Sequence, residues 1–182
     1  DLGEHAAAEV LLRQREQIFD SLGISGKDER RIDGWVLRSI ASLRTGELEE
    51  AEQWARAAVE ETVSTASRVR SLLVLAQVAT GRGHLEHADT LLAEADPLVE
   101  GTTDRALGAS CRESVASLRL ARGQVAEATH QYEQGLADAL AAPDTLIAAR
   151  CRQGLARLAL HAGKLDDAAE HLSAARTLFL RV

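Results

Sequence analysis

The stretch LARLALHAGKLDDA, residues 155–168, decides the fold, because three other stretches are built to its plan. They are VASLRLARGQVAEA at 115–128, LAQVATGRGHLEHA at 75–88 and RSIASLRTGELEEA at 38–51. Each contains Gly, any residue, Leu or Val, two residues, then Ala. The four instances are Gly46-Leu48-Ala51, Gly83-Leu85-Ala88, Gly123-Val125-Ala128 and Gly163-Leu165-Ala168, with the glycines 37, 40 and 40 residues apart. Self-similarity at such a period marks a repeat architecture.

Two further small residues keep register with each glycine. Seven positions earlier stand Ser39, Ala76, Ala116 and Ala156; twelve positions later stand Ala58, Ala95, Gly135 and Ala175. Cys111-Arg112 and Cys151-Arg152 also correspond across 40 residues. The pattern has a physical explanation at each point. A glycine just past a helix end takes the left-handed conformation that a Cβ disfavours. The Leu or Val two residues on is expected to plug the elbow between two helices. The Ala then opens the contact face of the second helix, and the small residue before the glycine faces it, so the two helices approach closely. Each pair buries its remaining apolar stripe on the next pair.

Helices are therefore expected near 4–22, 28–45, 48–62, 66–81, 85–98, 104–122, 125–141, 145–161 and 165–180. Cys111, Val115, Leu118 and Ala121 recur at helical spacing on one face. Breaks fall at Gly23–Gly26, Thr62–Thr65, Gly101–Asp104 and Ala142–Thr145, where Thr102, Thr103, Asp104, Asp144 and Thr145 are candidate N-caps. Pro97 and Pro143 read as punctuation between helices. The first helix repeats the spacing of a second helix through Gly3 and Ala8, although Arg15 replaces the later small residue. The expected architecture is all-α: a right-handed solenoid of antiparallel helix hairpins, about nine helices in all, forming four repeats and a preceding half repeat. Residues 1–182 are read as one domain, and the absence of an initiator Met suggests a fragment or a processed chain.

Composition agrees. Aromatics are 3% of 182 residues and hydrophobics 46%, so the core must be built from Ala, Leu and Val, which suits close-packed helices. The formal charge of −7 repels a phosphate backbone, which argues against direct nucleic-acid binding. No apolar run approaches the roughly 18 residues of a membrane span, and the first residues lack the pattern of a signal peptide. Two cysteines do not make a disulfide framework, and a cytoplasmic setting is the expectation.

The Gly-x-[Leu/Val]-x-x-Ala turn, the small-residue positions and the aromatic Trp35 early in a first helix resemble the tetratricopeptide repeat. The resemblance covers about 33 to 182. It departs from that family in its longer period, close to 40 instead of about 34, and in lacking a regular closing proline. Long repeats of this kind are similar to those of large bacterial transcription regulators, of the maltose-activator and actinobacterial antibiotic-regulator types, and also to those of peptide-sensing regulators and eukaryotic scaffold proteins. The resemblance implies a non-catalytic domain that binds a protein or peptide, the interaction or sensor part of a larger regulator.

In such a stack the first helices line a concave groove. The period places Asp33, Val36 and Ile40, Arg70, Leu73 and Gln77, Ser110, Glu113 and Ser117, and Arg150, Gln153 and Arg157 on that face. Arg150 and Arg157 stand about two turns apart. Guanidinium groups there would take a carboxylate, from an acidic or C-terminal segment, by paired hydrogen bonds. The alternative is that these arginines are ordinary solvated surface charges. Two rival functions are a small-ligand-sensing solenoid and, more remotely, an enzyme on a helical-repeat scaffold.

No catalytic residue, metal site or cofactor is assigned. The six histidines lack the His-Glu-x-x-His arrangement of a zinc protease, and Gly81-Arg82-Gly83 is a helix end and not a phosphate loop. Cys111 and Cys151 read as buried core residues instead of a redox pair, since neighbouring repeats sit about 10 Å apart and a disulfide needs Cα atoms within about 7 Å. Trp54 and Tyr132 are expected to pack between repeats. The acidic run Glu47, Glu49, Glu50 and Glu52 complements a helix dipole. The apolar end Leu178-Phe179-Leu180 lacks a polar cap, which predicts further repeats or self-association through the C-terminal helix.

Overall fold

The computed structural model describes residues 2–23 and 28–180, with side chains from residue 10 onward within those ranges. It is all-helical. Nine helices are present among the described residues: α1 (Leu2–Ser21), α2 (Glu29–Thr45), α3 (Leu48–Glu61), α4 (Thr65–Gly81), α5 (Leu85–Glu100), α6 (Arg105–Ala121), α7 (Val125–Ala141), α8 (Thr145–His161) and α9 (Leu165–Phe179). Each lies within two residues of its expected bounds. The chain divides into two compact units, Asp1–Val78 and Ala79–Val182, and each is described by itself.

The four repeat glycines share one backbone solution. Gly46, Gly83, Gly123 and Gly163 have φ of 83°, 78°, 73° and 71°, where a side chain is strained. The following N–H reaches back to close the helix end: Glu47 to the Ser42 carbonyl (2.9 Å), His84 to Ala79 (2.8 Å), Gln124 to Arg119 (2.9 Å) and Lys164 to Ala159 (2.9 Å). This satisfies carbonyls that the helix leaves orphaned. The same residue's carbonyl then accepts the N–H of the repeat alanine, from Ala51, Ala88, Ala128 and Ala168.

The small residues are buried. Of the eleven residues at these positions other than Gly135, from Ser39 to Ala175, none is more than 2% exposed, and Gly135 is buried as well. The elbow reading holds only in part. Leu48 and Leu85 are half-buried, but Val125 and Leu165 are exposed, at 49% and 69%. The turn is closed by its backbone bonds alone, so it needs no plug.

In the first unit α1 packs on α2, and α2 on α3. Ile32, Val36 and Ala58 form a small core, flanked by Trp35 and Ile40. Asp28 caps α2, accepting the Arg30 N–H at 3.0 Å. The linker before α4 and the first turn of α4 are each tied to α2 by a carboxylate. Glu29 accepts the Val63 N–H at 2.9 Å, and Asp33 accepts the Ser67 hydroxyl at 2.8 Å. In the second unit α5 packs on α6, α6 on α7, α7 on α8 and α8 on α9, while α6 also meets α8. Asp104 and Asp144 cap α6 and α8, accepting the Leu107 and Ile147 N–H groups at 3.1 and 3.0 Å. Pro97 does not separate helices. It sits in the last turn of α5, which runs on to Glu100. It costs that turn one bond, to the Ala93 carbonyl.

Candidate functional site

Of the residues expected on the groove face, Glu113, Ser117 and Arg157 of the second unit stand near one aromatic side chain, Tyr132, and Arg150 pairs with Glu113. Small residues make this possible. Gly135 of α7 sits against Cys151 of α8, with room for a Cβ only 3.2 Å from its Sγ and 3.3 Å from the Arg112 Cβ. One turn further along α8, Gly154 leaves the space that the Tyr132 ring fills. The ring is buried among Ala109, Ala116, Cys151, Leu155 and Leu158.

Glu113 does not line open surface. It is buried on α6, and its Oε2 stands 2.9 Å from Arg150 Nη2 of α8, whose side chain is 27% exposed. The reason lies in the repeat. Glu113 occupies the position of Val36 and Leu73, both buried, and on α6 that position is covered by α8. The corresponding residue of α8 is Gln153, which is exposed. Burial raises the Glu113 carboxyl above its usual range, and the Arg150 guanidinium opposes that shift without cancelling it. The residues expected on the groove face of the second unit therefore include a carboxylate that already holds one of the two arginines.

Around this pair the other groups are held protonated. Burial pushes the Tyr132 phenol up to about 12, with Glu113 adding to the shift and the Ser117 hydroxyl, in hydrogen-bonding reach, opposing it. The Cys151 thiol is pushed up to about 12 and the Cys111 thiol to about 11, first by burial. A thiol so shifted is not a nucleophile at neutral pH. Both cysteines are free and buried. What remains accessible is a strip of α8: half-buried Arg150, then exposed Gln153 and Arg157, with half-buried Ser117 of α6 beside it. Its chemistry is hydrogen-bond donation to an anion or amide. Among the described residues no group of three or more His, Cys, Asp or Glu side chains is placed to hold a metal ion, and no helix is long and apolar enough to cross a membrane.

Arg70 and Gln77 belong to α4 in the first unit, where Arg70 is exposed and Gln77 half-buried. That unit also carries a cluster whose members the repeat pattern does not connect. The Arg38 guanidinium lies 4.4 Å from the Trp54 ring centroid, and Glu50 accepts hydrogen bonds from Arg38 (2.7 Å) and from Trp54 Nε1 (3.2 Å). Trp35 completes it, its ring 6.3 Å from Trp54. Trp54 thus packs inside the α2–α3 hairpin, not between repeats. Glu50, expected to serve the helix dipole, also anchors this cluster. Tyr132 does pack between hairpins.

The position twelve before each repeat glycine, held by Gly34, Ser71, Cys111 and Cys151, was a usable signal for close approach. A Cβ on Gly34 would meet Arg15 Nη1 at 3.3 Å. The absent side chain there makes room for the arginine that replaces a small residue on α1, and Arg15 donates to the Arg30 carbonyl. No protein-family model and no curated protein matches the chain.

Proposed function

We propose that this chain is a non-catalytic, tetratricopeptide-like binding domain that takes a protein or peptide segment bearing a carboxylate, as the interaction or sensor part of a larger bacterial regulator acting in the cytoplasm. The observation that carries the reading is the strip Arg150, Gln153 and Arg157 along α8, in which Arg157 and Gln153 are exposed donors. Arg157 is the primary anchor, because Arg150 is engaged by Glu113. An extended acidic segment would lay its terminal or side-chain carboxylate on Arg157 and hydrogen-bond its backbone to Gln153 and Ser117. The repeat turns and the rigid small-residue contacts hold these groups at fixed spacing, which lowers the ordering cost of binding.

Screening a displayed library of peptides with free C-terminal carboxylates, followed by titration of the selected sequence, tests this. Arg157→Ala should weaken binding at least tenfold, and amidation of the peptide terminus should do the same. Selection of peptides without acidic groups, or full binding by the Arg157→Ala protein, would remove the assignment.

A further inference from the structure

Position 113 is an apolar place in the repeat that the chain fills with a carboxylate. Its counterparts Val36 and Leu73 are buried hydrophobic residues, and Glu113 is itself only 6% exposed. Taking a carboxylate out of water is costly, and a buried ion pair often stabilises no more than the apolar residues that could replace it. Stability therefore gives no reason for a glutamate where the repeat accepts valine and leucine. What the glutamate does have is a partner that reaches solvent. Its Oε2 lies 2.9 Å from Nη2 of Arg150, whose side chain is 27% exposed.

The charges about the α8 strip follow from this pair. Arg150 and Arg157 bring two positive charges, and Glu113 offsets one of them. Tyr132, which feels both Glu113 and Arg157, is held as a neutral phenol, and Cys151 as a neutral thiol. Arg112, next to Glu113 in sequence, is turned to Asp138 and Gln134 of α7, each at 2.9 Å. Arg152 reaches His171 of α9 at 3.1 Å, and Asp144 caps α8 through the Ile147 N–H. The position of Glu113 is taken on α8 by the neutral Gln153. Without Glu113 the strip would offer two uncompensated guanidinium groups about two turns apart.

With the α8 strip as the ligand surface, on which this rests, we propose that Glu113 determines the charge of the ligand: it occupies Arg150 as an internal carboxylate, so the strip takes a peptide end bearing one carboxylate and rejects an end bearing a second. A second ligand carboxylate brought to Arg150 would meet Glu113 across the same guanidinium. Like charges in a partly buried site oppose one another strongly, and a built-in repulsion of this kind is how a surface refuses a close relative of its ligand. Arg157 keeps its role as the anchor, and Glu113 acts on the ligand through Arg150 and through its own charge.

Parallel selections from the library of peptides with free C-termini, one on the wild-type chain and one on Glu113→Gln, test this. The wild-type pool should be poor in acidic last residues and the Glu113→Gln pool enriched in them. The leading wild-type peptide is then made with Asn and with Asp as its last residue, and both are titrated against each protein. Wild type should favour the Asn form by about tenfold, and Glu113→Gln should bring the two forms within about threefold. The readout is a ratio within one protein, so a variant that is merely less stable does not move it. Glu113→Leu, which restores the residue of the repeat counterpart Leu73, should act as Glu113→Gln does. The same ratio in wild type and Glu113→Gln, or equal binding of the two forms by wild type, would overturn the role of Glu113 and leave the carboxylate-binding reading standing. Binding that survives Arg157→Ala would overturn both.

Discussion

The Tyr132 ring lies across Gly154 so closely that a Cβ built on the glycine would fall 2.2 Å from the ring Cζ. The ring is part of the core between α7 and α8 and has no free space into which to withdraw. Gly154→Ala should therefore destabilise the chain by about 1–3 kcal/mol of overpacking, even though alanine gains about 1 kcal/mol of helix propensity over glycine. The remedy is specific. Tyr132→Leu, the residue found at the equivalent position 172, removes the clash, so the double variant should be more stable than the sum of the two single changes predicts. Urea unfolding of the four proteins measures the coupling; additive effects would show that the ring does not sit over Gly154.

Two glycines separated by one residue make opposite predictions. Gly83 has φ of 78°, while Gly81 is the last residue of α4 and has open space around its Cα. Gly83→Ala should cost about 1–2 kcal/mol, the penalty of a side chain in the left-handed region. Gly81→Ala should be neutral or stabilising by up to about 1 kcal/mol, because the unfolded chain loses freedom and the helix gains a better former. Thermal unfolding of both variants checks the sign. Gly46, Gly123 and Gly163 should behave as Gly83 does.

The cysteine pair gives a third test. Each thiol is buried and free, with its ionisation pushed well above neutral pH. A thiol-specific chromogenic reagent should react with neither in the folded protein at neutral pH and with both in denaturant. Rapid labelling of one cysteine without denaturant would mean that α6 or α8 opens locally.

How much of this was legible in the sequence follows from what a repeat encodes. Close helix contacts need small side chains at fixed separation, so Ala51, Ala128 and Ala168 marked the hairpins α2–α3, α6–α7 and α8–α9, and each repeat glycine marked the end of a helix. What a repeat does not state is which side chains the next hairpin covers. Glu113 and Gln153 are equivalent in sequence, yet α8 buries Glu113 while Gln153 is exposed. The elbow position also varies: Leu48 and Leu85 are half-buried, while Val125 and Leu165 are exposed. Pairings across helices, such as Arg38 with Glu50 and Trp54, have no periodic signature, since they occur in one hairpin only. Gly154 stands at no recurring small position, and its equivalents Ser114 and Val74 hide the reason for it.

Glu113 makes stability depend on pH in a direction opposite to that of most carboxylates. Its carboxyl is raised above the ordinary value by burial, with Arg150 opposing. The folded state then binds this proton more tightly than the unfolded state. Within the window from the ordinary carboxylate value, 4.5, up to the raised folded value, the unfolded chain holds fewer protons than the folded one. Stability from this group is therefore fully present below the window and is lost as pH rises through it. Asp28 and Glu50 are shifted the other way, so the total curve mixes both signs. The Glu113 contribution is isolated as the difference between wild-type and Glu113→Gln stability, measured by urea titration at a series of pH values. The difference should change in favour of the glutamine protein as pH climbs through the window and level off above it. Glutamine keeps the shape and can still accept from Arg150, so the change reads the charge and not a cavity. A difference that is flat across the window would mean that Arg150 fully offsets the burial of the carboxylate.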